Sequence, residues 1–263
     1  MLPDTVCNGD RMKLFIELSY LGTNFNGYQV QPKGRTVQGE LTRAAKELFG
    51  KDCDITGCSR TDAGVHANAF CATVTEKGRD NLDTALDISR IPLALNAHLP
   101  EDISVKAAKW VEADFHPRYD VKYKEYVYRI YNTRTRSPFE NGRSWHIPYV
   151  FDTDAIEKMN LAANNFVGKH DFSAFMASGS AVELTVRNVK YASVTKEGDV
   201  IVFKVAADGF LYNMVRIMVG TLVLVAQGKI LPENIPDILA SCDRKNAGPT
   251  APADGLYLNK VKY

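Results

Sequence analysis

Between Met12 and Leu18, apolar Met12, Leu14, Ile16 and Leu18 alternate with Lys13, Phe15 and Glu17, the period of a half-buried strand with Phe15 as its one exception. A helix is predicted next, over Thr36 to Phe49. Val37, Leu41, Ala44, Ala45 and Leu48 recur at helical spacing, Thr36 can cap the start and Gly50 the end. Strand-like runs follow near Cys53 to Ser59 and Ala69 to Thr75. A helical stretch around Thr84 to Leu99, interrupted by Pro92, ends before Pro100, and a strand over Ile103 to Val111 closes the series.

The rest of the chain repeats that order. A strand is predicted over Val121 to Tyr131, a helix over Thr153 to Val167, and strands over Val189 to Thr195 and Val200 to Ala206. Helices over Leu211 to Gln227 and Pro232 to Ser241 and a strand over Leu256 to Lys262 follow, so the second half has one extra helix. Strand, helix, strand, strand, helix, strand is the split β-α-β order of a ferredoxin-like unit. The expected fold is α+β: two ferredoxin-like halves with antiparallel or mixed sheets joined side by side, with a cleft between them as a common place for a ligand. The halves are taken as residues 12–118 and 119–263, meeting near Arg118, with residues 1–11 as a poorly ordered extension. No low-complexity linker separates them, so packed halves are expected rather than tethered ones.

With 263 residues and 45% apolar composition, a sizeable core is possible and disorder is not expected for most of the chain. Basic and acidic side chains nearly cancel, 32 against 31, so affinity for a polyanion has to come from local clustering. Five scattered cysteines without a C-x-x-C pair fit neither a disulfide framework nor a zinc knuckle, which points to a reducing, cytoplasmic setting. The most apolar run, Ile217 to Ala226, is too short to span a bilayer, and no secretory signal pattern opens the chain. Dispersed histidines, and the lack of a P-loop or a strand-linked G-x-G-x-x-G, lead us to expect no metal and no nucleotide cofactor.

One segment carries candidate chemistry. Gly57-Cys58-Ser59-Arg60-Thr61-Asp62-Ala63-Gly64-Val65-His66-Ala67 joins two predicted strands and sets a cation, a hydroxyl and a carboxylate between glycines. On residue types alone it reads equally as a tight polar turn, since Asp and Gly are default turn residues. His66 reads as a structural histidine of that turn.

Gly57 to Ala67 resembles the catalytic motif of the TruA family of tRNA pseudouridine synthases. Tyr20, Gly22, Thr23, Phe25, Gly27, Tyr28, Gln29, Gln31 and Thr36-Val37-Gln38 are similar to the family's opening block, with Tyr28 where Trp is more usual. Leu95-Asn96-Ala97, Leu99 to Ile103, Phe115-His116 and Tyr126-Val127-Tyr128 through Tyr131-Asn132 follow its middle. Phe210 to Arg216 with Val219-Gly220, Ala247 to Pro252 and Gly255 to Leu258 resemble its closing signature. Met176 to Thr185 departs from the family by being more apolar than expected.

The resemblance implies isomerisation of uridine to pseudouridine in tRNA, with Asp62 as the essential carboxylate and no cofactor. It implies Arg216 as a salt-bridge partner of Asp62, Arg60 as a second cation of the motif, and Tyr126 as the aromatic that receives the base. Buried carboxylates need such a cation or hydrogen-bond donors to stay ionised. Spacing alone puts Tyr126 and Tyr128 on one strand face and Tyr123 and Tyr131 on the other, and singles out none of them. The resemblance also implies a homodimer and uridines 38 to 40 of the anticodon arm as targets; the short apolar runs lead us to expect no membrane partner.

From His116 to His146 the chain carries seven Lys or Arg (118, 122, 124, 129, 134, 136, 143) against three acids (120, 125, 140), interleaved with aromatics. That excess fits RNA contact, and it fits a lysine-guarded strand edge as well. Three other readings stand beside the enzyme: passive tRNA binding, a synthase acting at another tRNA position, and an unrelated hydrolase using Asp62.

Overall fold

The computed structural model describes residues 12–179 and 182–263. The expectation for residues 1–11 lies outside the described residues, as do Ser180 and Ala181 of the apolar Met176 to Thr185 stretch. The chain divides into two compact units: one runs to Val121 and includes Tyr263, the other is Lys122–Lys262.

The first unit is built from β1 (Met12–Tyr20), α1 (Val37–Phe49), β2 (Cys53–Gly57), β3 (His66–Glu76), α2 (Ile91–His98) and β4 (Ile103–Glu112). All its pairings are antiparallel and give the order β4-β1-β3-β2, that of a ferredoxin-like sheet. Leu14, Ile16 and Leu18 of β1 are buried with Phe70, Ala72 and Val74 of β3 and with Val37, Leu41 and Ala44 of α1. Phe15, which broke the alternation, is buried as well. It meets Phe115 and Tyr263 edge-on, at centroid distances of 5.6 and 5.5 Å. α1 runs from cap to cap as its sequence indicates: the Thr36 hydroxyl accepts the Gly39 N–H, and Gly50 closes the helix at φ 66°.

α2 is shorter than its predicted span. Pro92 stands in its first turn rather than interrupting it, where the missing N–H costs nothing. Upstream, the Asp87 carboxylate accepts the Ser89 N–H at 2.8 Å, a local turn that competes with helix.

The second unit comprises β5 (Tyr123–Asn132), β6 (Trp145–Ile147), α3 (Thr153–Asn164), β7 (Gly168–Asp171), β8 (Val186–Glu197), β9 (Val200–Ala207), α4 (Met214–Ala226), α5 (Ile235–Ser241) and β10 (Leu256–Lys262). Its sheet order, β10-β5-β9-β8, repeats that of the first unit, with β7 added beyond β8. β6 pairs parallel to β5 from Ile130 to Asn132, where the β10 ladder has ended at Tyr128. α4 is buried on nearly every side and packs on α3, as its continuous apolar sequence requires. It starts at Met214 because Asn213 sits in the left-handed region at φ 59°. Among the described residues no helix is long and apolar enough to cross a membrane.

Candidate active site

The segment from Cys58 to Val65 connects neighbouring strands, so its ends are fixed by the β2–β3 ladder. Cys58 extends that ladder by donating its N–H to Cys71 O at 2.8 Å. The next residues leave the sheet and are held by a stretch far earlier in sequence. Thr61 is buried and gripped twice: its carbonyl accepts the Tyr28 N–H at 3.1 Å, and its hydroxyl lies 2.7 Å from that of Tyr20. Gly64 donates to Phe25 O at 3.3 Å, and Val65 closes the turn on Asp62 O at 3.2 Å.

His66 is fully buried and its Nδ1 accepts the Gly22 N–H at 2.9 Å, so it is a structural member of the loop with an unprotonated Nδ1. Gly22 has to be glycine here: a Cβ would stand 2.0 Å from Val65 O. The opening sequence block and the Gly57 to Ala67 block are therefore two faces of one contact.

At the apex, Asp62 is half-buried and Arg60 exposed, and the guanidinium of Arg60 has no ion pair or hydrogen bond among the described residues. Beneath them, burial and the neighbouring Cys58 push the Cys71 thiol far above its ordinary range. This buried thiol is accordingly inert rather than a second nucleophile.

Tyr126 and Arg216 belong to the second unit. Tyr126 is buried on β5, on the same face as Tyr128, while Tyr123 and Tyr131 on the other face are half-buried. Its ring meets Phe210 edge-on at 5.0 Å. The preceding residue, Glu125, is buried and ties β5 to both flanking strands. It accepts Asn259 Nδ2 at 2.6 Å and the Tyr191 hydroxyl, each at a bulge in its strand.

Arg216 stands in the first turn of α4. Its Nε donates to Ala251 O and its Nη1 to Asn213 Oδ1, both at 2.7 Å. Ala251 reaches that position because Gly220 and Gly248 let two backbones touch: a Cβ on Gly220 would fall 1.7 Å from Pro249 O. The Thr221 hydroxyl then accepts the Gly248 N–H at 2.9 Å. The Tyr128 hydroxyl donates to Pro252 O at 2.7 Å, so Tyr128 is a structural pin and Tyr126 is the ring beside Phe210.

The structure thus brings Arg60 and Asp62 onto one braced loop of the first unit and fixes Arg216 and Tyr126 on adjoining elements of the second. Sequence reasoning gave no separate role to Tyr20 and Thr61. Their only trace was that Tyr20 opens one motif block and Thr61 precedes the carboxylate in the other. Among the described residues no group of three or more His, Cys, Asp or Glu side chains is placed to hold a metal ion.

Comparisons with known proteins give the family. The tRNA pseudouridine synthase family model matches residues 18–120 and 162–263. A relative from Acetivibrio thermocellus described as tRNA pseudouridine synthase A is 46% identical over 253 residues, covering 96% of this chain and 99% of its own. One of the same description from Moorella thermoacetica is 46% identical over 252 residues, covering 95% and 99%. Another from Halalkalibacterium halodurans is 41% identical over 247 residues, covering 93% and 90%. The chain belongs to the tRNA pseudouridine synthase family: it is an isomerase that converts uridine to pseudouridine in tRNA.

Proposed function

We propose that Asp62 is the essential carboxylate of this isomerisation and that the targets are uridines 38 to 40 of the anticodon arm. The reaction breaks the N1 to C1′ bond, turns the uracil and joins C5 to C1′, so the enzyme has to engage the ribose while keeping the base. One carboxylate, acting at the sugar or removing a ribose proton, is enough. The observation that carries the reading is the bracing of the Asp62 loop: Thr61, next to it, is held at both its carbonyl and its hydroxyl. Such rigidity keeps a reacting group within the narrow range that catalysis tolerates.

The remaining roles follow the same resemblance. Arg216, whose Nε and Nη1 are already anchored at 2.7 Å each, supplies the cation that keeps a desolvated Asp62 ionised. Tyr126 receives the uracil once it leaves its stack, an exchange in which base-on-ring stacking returns about 1–3 kcal/mol. Arg60, exposed and unpaired among the described residues, contacts phosphate. The working form is a homodimer in the cytoplasm.

The test uses tRNA transcripts tritiated at uridine C5, because C5 loses its hydrogen on bonding to C1′. Wild type is expected to release tritium to water and Asp62→Asn to release none while still binding tRNA. Release by Asp62→Asn at the wild-type rate would remove Asp62 from the chemistry, and mapping the product position decides the anticodon-arm assignment.

A further inference from the structure

Where the edge of β5 passes from β10 to β6, the second unit holds a cavity of about 600 Å³. It opens beside Tyr131, between β6, the turn Pro138–Glu140 and the turn that starts at Pro252. Its volume is that of a small-ligand pocket. None of Asp62, Arg60, Tyr126 and Arg216 lines it.

Three rings do: Tyr131, Trp145 and His146. They are already fixed in place. Trp145 stands edge-on to the fully buried Tyr128 at 6.4 Å, His146 Nε2 donates to Thr133 O at 2.9 Å, and the His146 and Tyr131 rings lie 5.8 Å apart. Rings held in this way lose little freedom when a flat partner stacks on them.

The lining carries one arginine, Arg136, and two acids, Glu140 and Asp254. Arg136 lines the rim and Arg134 is close to it in sequence, and neither makes an ion pair or hydrogen bond among the described residues. Glu140 is paired with Arg129 at 3.1 Å, and Asp254 is the other acid of the lining. Phe139, on the adjoining turn, is 83% exposed and extends the aromatic surface outward.

Aromatic walls with an unpaired arginine at the rim are what a nucleotide offers partners for: a π face and a phosphate. We propose that this cavity seats a nucleotide of the tRNA other than the uridine being isomerised. The site is continuous with the catalytic machinery of the second unit. Pro252 lines the cavity and its carbonyl takes the Tyr128 hydroxyl, while the adjacent Ala251 carbonyl takes Arg216 Nε. A nucleotide seated here bears on the backbone that sets Arg216. The proposal rests on tRNA as the substrate and not on the role given to Asp62.

The chain has two tryptophans, so Trp110→Phe leaves Trp145 as the only indole reporter. This variant, in an Asp62→Asn background, is titrated with unmodified tRNA transcript while filter binding is followed in parallel. Trp145 emission is expected to be quenched and to saturate with the filter-binding curve. Tyr131→Ala is expected to raise the tRNA Kd by about 5- to 100-fold, and Arg136→Ala to lower the slope of log K against log salt by about one.

Unchanged Trp145 emission at saturating tRNA would overturn the proposal, as would wild-type affinity and salt slope in both variants. UMP that quenches Trp145 and still binds when tRNA saturates the protein would make the cavity a free-nucleotide site and would equally overturn it. Turnover by Asp62→Asn would refute the catalytic assignment and leave the quenching result standing.

Discussion

The hydroxyls of Tyr20 and Thr61 lie 2.7 Å apart in the interior of the first unit, one residue from Asp62 and 41 residues apart in sequence. Tyr20→Phe deletes one partner and leaves the other buried and unpaired, which costs about 1–3 kcal/mol of stability. Because the freed Thr61 lets Asp62 drift, kcat is expected to fall about 10- to 100-fold with KM changed less than about twofold. Steady-state kinetics on tRNA separate the two parameters, and an equal loss through KM alone would assign the bond to binding.

Tyr28 makes the opposite case. Its ring stacks on Phe70 at 4.4 Å, while its buried hydroxyl has no hydrogen-bond partner among the described residues, and burial pushes its pKa far up. Tyr28→Phe removes an unpaired polar atom and keeps the stack, so Tm is expected to rise by about 2–4 °C at unchanged activity. A fall in Tm would mean that the hydroxyl is bonded in solution.

Gly220→Ala is expected to be among the most damaging single methyl additions in the second unit, because the new Cβ meets Pro249 O at 1.7 Å. Overpacking of this kind costs about 1–3 kcal/mol or more. Prying residues 247–252 from α4 also draws Ala251 away from Arg216 Nε, so kcat per folded molecule should fall along with Tm. Thermal melts paired with single-turnover rates check both; loss of stability at full kcat would separate Ala251 from the chemistry.

Arg35 is clamped between Glu40, at 2.8 Å, and Asp102, through bonds of 2.8 and 3.0 Å, and lies over the Phe25 ring. Burial alone would raise the pKa of Glu40, but hydrogen bonds from Arg35 and Arg43 outweigh it and hold the carboxyl below its ordinary range. A depressed folded-state pKa gives stability that is complete above the unfolded value and is lost as pH falls through the folded one. Glu40→Gln is therefore expected to cost about 0.5–1 kcal/mol at pH 7, with the Tm gap from wild type closing below about pH 4. A gap that stays constant down to acid pH would assign the effect to packing.

Legibility in the sequence followed the range of the interactions. α1 was read from cap to cap because Thr36 and Gly50 act within a turn of themselves. The long strands showed their period, whereas β6 and β7, three and four residues long, are too short to have one. The start of α2 was misplaced because Asp87 and Ser89 form a turn in a segment whose apolar spacing looked helical. Family resemblance alone singles out Asp62 as a candidate, since on residue types it stands in an ordinary polar turn. The grip on Thr61 and the cavity beside Trp145 depend on partners brought together from distant positions, and neither leaves a periodic trace.

The bracing of the Asp62 loop also bears on the order in which the chain matures. The β2–β3 hairpin can close on local contacts, but the contacts that shape the loop between its strands come from Tyr20, Gly22, Phe25 and Tyr28. Those contacts have to wait for β1 to dock on β3 across a long stretch of chain, a slow kind of closure. Regain of tritium release during refolding should therefore lag behind the return of secondary structure, so activity times the last β1–β3 docking and not the first collapse.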